Sequence, residues 1–340
     1  MGMAKRSYSK KGRKIEPAVQ TLTFISSTVD AGSTGTFTVD LSQCASLVNR
    51  RFYRQGINWA VAGFKVITPE GVLGNMTVTK LPNTWVMSNS WEKGFRTWQK
   101  MNRDALAEAE SVRPKFLDFK IYADSVHHNA GYGDNLLPVD GANTAYVAGE
   151  WIASKYVIPD TTTGAGVNNF EVIAVGPSYP GGGSSGLNAV SLIEGYAASR
   201  GLPDILDPNA PDDAADVNGS TPENWMSALF NDGTNQDDQV LTDMITENNE
   251  APYPFENDGT HTDTMYPGGA NQAPTLEHHD SGIMSGTTIG GITHLKGGNF
   301  PCGLVRFNWN PTAITAGIRI EIDLIPGNHR GYLCEPMTEM

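Results

Sequence analysis

The sequence predicts an all-β fold, an antiparallel β-sandwich or barrel. Three observations point there: apolar and polar residues alternate along many short segments, long loops separate those segments, and helical patterns do not intervene regularly as a βαβ layout requires. In chain order, Phe37, Val39 and Leu41 mark the inner face of a strand at 36–41. Ile57, Trp59 and Val61 mark a second at 57–68, where the phase slips at Gly63 to Phe64 and Val66 and so predicts a bulge. A third strand follows at 75–81. Leu117, Phe119 and Ile121 predict a fourth at 115–122, and weaker alternation predicts strands at 150–158 and 170–177. Val305, Phe307 and Trp309 share a face at 302–309. The stretch GIRIEIDLI at 317–325 is the cleanest of all, with Ile318, Ile320, Ile322 and Leu324 opposite Arg319, Glu321 and Asp323.

One clear helix is expected before the fourth strand, over 89–112. Asn89-Ser90-Trp91-Glu92 has the form of a capping box, and Trp91, Phe95, Trp98, Met101, Ala105 and Ala109 recur at helical spacing up to Pro114. Its Lys93, Arg96, Lys100 and Arg103 form a basic stripe, read as a solvated face or subunit contact. The domain layout is a basic arm at 1–20, core strands with the helix at 21–177, an acidic Gly/Pro-rich insertion at 178–300 and closing strands at 301–340. A structureless loop as long as that insertion is improbable inside a compact domain, so it reads as an elaborated insertion, with a short helix at 187–200. No apolar run reaches the length of a membrane span, and no secretory pattern follows the first cations, which predicts assembly inside a cell. Cys44, Cys302 and Cys334 are far apart without a CxxC pair, as expected of reduced packing thiols.

Charge is segregated along the chain. The formal net charge is -13, yet Lys5, Arg6, Lys10, Lys11, Arg13 and Lys14 lie in a stretch with no acidic residue. After residue 14 only 18 Lys and Arg face 37 Asp and Glu, and 17 of those acids fall in 201–295, which holds no Lys or Arg. The first stretch has no apolar periodicity to bury, so it predicts a disordered arm whose cations neutralise phosphates without reading sequence. The same run fits a nuclear-localisation signal. An anionic block would repel a genome held inside, which predicts that 201–295 lies in external loops or at subunit contacts.

Motifs for chemistry are weak. Gly182-Gly183-Ser184-Ser185-Gly186 satisfies G-x-S-x-G, with Asp204 and His261 downstream in hydrolase order, but prolines and consecutive glycines loosen the tight turn that a nucleophile elbow needs. Glu277-His278-His279-Asp280 offers four metal-binding side chains, yet neighbours on an extended chain point to opposite faces, and it reads as a solvated loop, as does His127-His128. Asp212, Asp213 and Asp216 are weak candidates for calcium, since the full EF-hand pattern fails at Ala214 and Trp225. No P-loop is present. The expectation is a protein without catalytic residues and without a cofactor.

The basic arm, the eight expected strands, the large insertion and the stretch NTWVMSNSWEKGFRTWQKMNRDALAEAESVRPKFLDFKIYAD together resemble the single jelly-roll capsid proteins of small circular Rep-encoding single-stranded DNA viruses. The resemblance implies a single eight-stranded antiparallel jelly roll with a disordered basic N-terminal arm. It further implies subunits that close an icosahedral shell, with single-stranded DNA held inside by Lys5, Arg6, Lys10, Lys11, Arg13 and Lys14. The virion, and the host nucleus during assembly, would be its locations. Two other readings of the same residues stay open: an RNA-virus capsid protein, because a basic arm does not distinguish the nucleic acids, and a jelly-roll carbohydrate-binding protein.

Overall fold

Strand pairing runs from the two ends of the chain inward. The computed structural model describes residues 17–107, 118–160, 166–178, 181–198, 226, 275–285 and 291–339. Its elements in order are β1 (Thr21–Ile25), β2 (Gly35–Asp40), α1 (Leu41–Asn49), β3 (Ile57–Ile67), β4 (Gly74–Lys80), α2 (Trp85–Ala107), α3 (Ser125–Ala130), β5 (Tyr156–Asp160), β6 (Gly166–Ile173) and β7 (Ala189–Ser191). There follow α4 (Leu192–Ala198), β8 (Glu277–Met284), β9 (Ile292–Phe300), β10 (Leu304–Pro311), β11 (Arg319–Leu324) and the short β12 (Pro326–Gly327), β13 (Gly331–Tyr332) and β14 (Cys334–Pro336). β1 pairs with β11, β2 with β10, β3 with β9 and β4 with β8, all antiparallel. Further pairs, β11 with β3 and β10 with β4, join these into two sheets, and β14 adds to the start of β3.

The result is an all-β sandwich with a few helices laid on it. Alternation explains which face turns inward. On β11, Ile320, Ile322 and Leu324 are buried while Arg319, Glu321 and Asp323 face outward. The core between the sheets takes Phe24, Trp59, Phe64 and Ile320 from one side and Val39, Met76, Val78, Phe307 and Trp309 from the other. Burying each such side chain contributes roughly 1.5–3 kcal/mol. The expected bulge in β3 is present: Asp323 lies opposite Gly63 but Leu324 opposite Val61, so Ala62 is the extra residue and the inward phase moves from Val61 to Phe64.

A second apolar layer packs beside the sandwich. Trp91, Phe95 and Trp98 of α2 form a ladder, with ring centroids 5.0 and 6.3 Å apart along it, and Phe119 sits 5.7 Å from Trp98. Gly94 lets α4 approach, because a Cβ there would lie 2.5 Å from Leu192 Cδ2, and the Tyr156 hydroxyl donates to Gly94 O at 2.6 Å.

Several expectations are corrected. The helix begins at Trp85 rather than at 89, because the Thr84 hydroxyl accepts from Met87 N (3.4 Å) one turn earlier, and it follows the fourth strand of the chain instead of preceding it. Its expected end, 108–112, lies outside the described residues. The strand expected at 115–122 is replaced, over the described 118–122, by irregular chain with one bridge from Tyr122 to Ile173. Side chains take the place of a neighbouring strand there: Ile121 N donates to Gln55 Oε1 (2.7 Å) and Lys120 N to Ser154 Oγ (3.0 Å). The segments at 150–158 and 170–177 contribute to a separate sheet, β5-β6-β7, in which β6 and β7 run parallel. The sandwich instead recruits β1, a short strand that alternates with Leu22 and Phe24 inward, and β8 and β9, whose sequences alternate poorly. The described end of the expected 178–300 insertion, 275–285 and 291–300, is therefore largely strand.

Both open sides of the sandwich are closed. On one, residues 136–139 bridge the two sheets: Leu136 N donates to Thr38 O of β2 and Val139 N to Thr23 O of β1, each at 2.8 Å. On the other, β8 and β9 run beside each other from opposite sheets.

Candidate functional site

The chain enters the described structure at Pro17, so Lys5, Arg6, Lys10, Lys11, Arg13 and Lys14 lie outside the described residues. Their point of attachment is well defined. Val19 N donates to Asn49 Oδ1 (3.0 Å) at the end of α1, and the Tyr332 hydroxyl donates to Val19 O (2.6 Å) while accepting from Asn49 Nδ2 (2.7 Å). Burial is the main cause that pushes the Tyr332 phenol up to about 12, which keeps it a donor. Arg51 Nη1 donates to Pro17 O (3.1 Å), the Tyr53 hydroxyl to Arg330 O (2.9 Å), and Arg330 in turn to Phe52 O. Three segments thus meet at one corner: 17–22, 41–57 and 326–334. Together they carry Arg50, Arg51, Arg54 and Arg330 and no Asp or Glu, in a chain with an acidic excess. Arg50, Arg54 and Arg330 are exposed.

Next to this corner lies a buried polar network that fixes the second layer to the sandwich. Asp40, fully buried at the end of β2, accepts from Ser42 N (2.9 Å), Gln43 N (3.2 Å), Gln55 Nε2 (2.9 Å) and Trp151 Nε1 (3.0 Å). It caps α1 and gathers two distant side chains at once. Burial nevertheless pushes its carboxyl up to about 6. Asp124 caps α3 and binds Arg306 of β10 through two contacts of 2.5 Å; those bonds outweigh desolvation and hold its pKa below the ordinary value. His127 accepts from Ala123 N (3.1 Å), so its other nitrogen carries the proton toward Asn135 Oδ1 (2.9 Å), and Asn135 donates to Gln43 Oε1 (2.9 Å). Burial, with Arg306 nearby, depresses His127 to about 3 and keeps the ring neutral. His128, also buried, stands 3.0 Å from Glu171.

Ser184 of the G-x-S-x-G stretch lies in the irregular segment between β6 and β7, with Gly186 N donating to Gly183 O (2.9 Å) in a turn. The helix α4 follows β7 and not Ser184, so the strand-turn-helix setting is absent at this serine. Its backbone N–H donates to His128 O (3.4 Å) and its side chain bonds the Tyr122 phenol, which burial and Glu171 push upward. Asp204 and His261 lie outside the described residues.

Glu277-His278-His279-Asp280 is not a loop but the start of β8. His279 Nε2 donates to Lys296 O (2.9 Å) and Asp280 Oδ2 accepts from Lys296 N (2.8 Å), so the two side chains occupy both backbone groups of one residue of β9. That bond from Lys296 holds the Asp280 carboxyl below its ordinary range. Among the described residues no group of three or more His, Cys, Asp and Glu is placed to hold a metal ion. Asp212, Asp213 and Asp216 fall outside them. All three cysteines are free thiols, Cys44 and Cys302 buried and Cys334 half-buried.

Sequence reasoning singled out the arm and missed the arginine corner, because its three segments are far apart in the chain. The legible hint was the Arg50-Arg51 pair in a stretch without acids. No helix among the described residues is long and apolar enough to cross a membrane. The chain matches no protein-family model, no curated protein and no solved structure.

Proposed function

We propose that this chain is the capsid protein of a small icosahedral virus, a single eight-stranded jelly roll that self-assembles into a shell and holds single-stranded DNA through its basic arm. The observation that carries the reading is the nested pairing β1·β11, β2·β10, β3·β9 and β4·β8, the pattern of one long hairpin rolled into two facing sheets. A fold of this kind serves many functions, so the charge layout does the rest. Six cations precede a nearly neutral chain interrupted by one acidic block of 17 carboxylates at 201–295, and the segment leading from them is tied down at a corner whose three stretches hold no carboxylate. The arm binds phosphates by charge alone, which suits a genome of any sequence.

The test is electron microscopy of the purified full-length protein, together with the 260/280 nm absorbance ratio of particles from the full chain and from a chain lacking residues 1–14. Uniform shells are expected from both, with the ratio falling toward that of pure protein in the truncated form. Equal ratios would remove the arm from genome binding. A monomer at all salt concentrations that binds glycans would favour the carbohydrate-binding reading instead. Digestion of the packaged material with DNase against RNase separates the DNA reading from the RNA one.

A further inference from the structure

We infer that the arginine corner is a second phosphate-binding site for the same single-stranded nucleic acid, a platform on the folded body that continues what the arm begins. The inference rests on the reading above, in that it presumes a polyanionic partner. Its own support is geometric. Arg50 ends α1 with φ 53 and Arg330 turns the chain before β13 with φ 50, both in the left-handed region that favours glycine or asparagine. Such a conformation costs an ordinary side chain on the order of 1 kcal/mol, so glycine or asparagine would be the less costly residue at both positions.

Of the four non-glycine residues with positive φ among the described residues, two are arginines, and both are at this corner. They are exposed, and hydrogen bonds from Tyr53 and Arg330 hold their two segments together. Arg54, also exposed, interacts with the Asp118 carboxylate, and Arg51 grips the backbone of Pro17 where the arm departs. The three segments themselves hold no carboxylate; Asp118, which accepts from Gln55 N (3.2 Å), lies on the Arg54 side of the corner, so Arg50 and Arg330 carry the site. A strand that follows the arm to its root therefore meets exposed guanidinium charges that neutralise its phosphates.

The experiment compares the full-length protein with two double variants, Arg50→Asn/Arg330→Asn and Arg50→Lys/Arg330→Lys. Asparagine tolerates the left-handed backbone, so the first variant should fold with unchanged or higher thermal stability. Binding of fluorescent oligo-dT and oligo-rU is followed by anisotropy across a salt series, below the concentration at which particles form. Loss of two phosphate contacts should lower the magnitude of the log–log salt slope by about 1.4 and weaken binding roughly tenfold at moderate salt. The lysine pair should stay within about twofold of the parent, since charge without the fork still neutralises phosphate. An asparagine pair with the parental slope overturns the corner site, and so does a lysine pair that loses as much as the asparagine pair. Retained oligonucleotide binding with lost binding to phosphatidylserine vesicles would also overturn it, in favour of a membrane surface. Failure of the parent itself to bind either oligonucleotide is a different result, because that sinks the genome-binding function as a whole. Parallel loss with dT and rU is expected, as the phosphates are shared.

Discussion

A single buried carboxylate, Asp40, joins β2, α1, the Gln55 turn and Trp151. Two of its four donors are local caps and two, Gln55 and Trp151, come from distant parts of the chain; without the carboxylate the Ser42 and Gln43 N–H groups and Trp151 Nε1 lose their acceptor, while Gln55 Nε2 keeps Ile121 O. Asp40→Ala should therefore cost about 4 kcal/mol in denaturant unfolding, against about 1–2 kcal/mol for Asp40→Asn, whose amide oxygen still serves one pair of donors. Equal, small losses in both variants would show that the network does not hold the junction. The sequence marks Asp40 only as a polar residue closing an alternating strand. Its importance depends on Gln55 and Trp151 arriving from elsewhere, which no local pattern encodes.

At the level of elements, the unexpected strands β8 and β9 share one reason for their poor legibility. Each lies at the outer edge of its sheet, so one flank meets side chains from the opposite sheet rather than another strand. Gly298 of β9 reflects such close approach, since a Cβ there would lie 2.7 Å from His279 Cε1, while a Cβ on the adjacent Gly297 would lie 2.2 Å from Val61 O at the bulge of β3. His279 and Asp280 then occupy the backbone groups of Lys296 that would otherwise be open to pairing with another chain. Asp280→Ala should reopen that N–H. The expected result is little change in unfolding midpoint, with light scattering on heating starting at a lower temperature than in the parent, and Asp280→Asn restoring most of the difference through its amide oxygen. An unchanged onset for Asp280→Ala would mean that the edge is protected by something other than this contact. The α2 boundary teaches a related lesson. Asn89 and Ser90 look like a cap in sequence, but Ser90 Oγ donates to Met87 O (2.9 Å) from inside the helix, where Trp85 and Val86 continue the apolar face toward the second core.

For the molecule as a whole, the buried His127 and Asp40 and the half-buried Asp124 shape how stability should follow pH. His127, neutral when folded, gives stability that is lost as pH falls from its ordinary 6.5 toward about 3. Asp124 is depressed from 3.8 by Arg306, so its share is lost only below that value. Asp40 acts in the opposite sense: raised from 3.8 to about 6, it makes the folded state bind the extra proton in that window, so its effect on stability improves as pH falls through it. Between pH 6 and 4 the His127 and Asp40 effects oppose each other, and below 4 His127 and Asp124 act together. The urea midpoint should stay nearly flat from pH 6 to 4 and then drop steeply, while Asp40→Asn should introduce a slope between 6 and 4. A steep loss already at pH 6 to 5 in the parent would show that other groups dominate.

The amino-acid sequence by itself determined the all-β class, the inward faces of β2, β3, β10 and β11, a strand near β4, the bulge beside Gly63 and the apolar stripe of α2. Each of these follows from side-chain period along a few neighbouring residues, a property the chain carries before it folds. Tertiary structure alone decided which strands share a sheet, that 150–177 leaves the sandwich for a sheet of its own, and that His279 and Asp280 cap a strand edge. It also decided that Arg50, Arg51, Arg54 and Arg330 stand together at the root of the arm. Those outcomes depend on contacts between residues far apart in the chain, where a backbone group or a charge acquires its role from whichever partner the fold brings within a few ångströms.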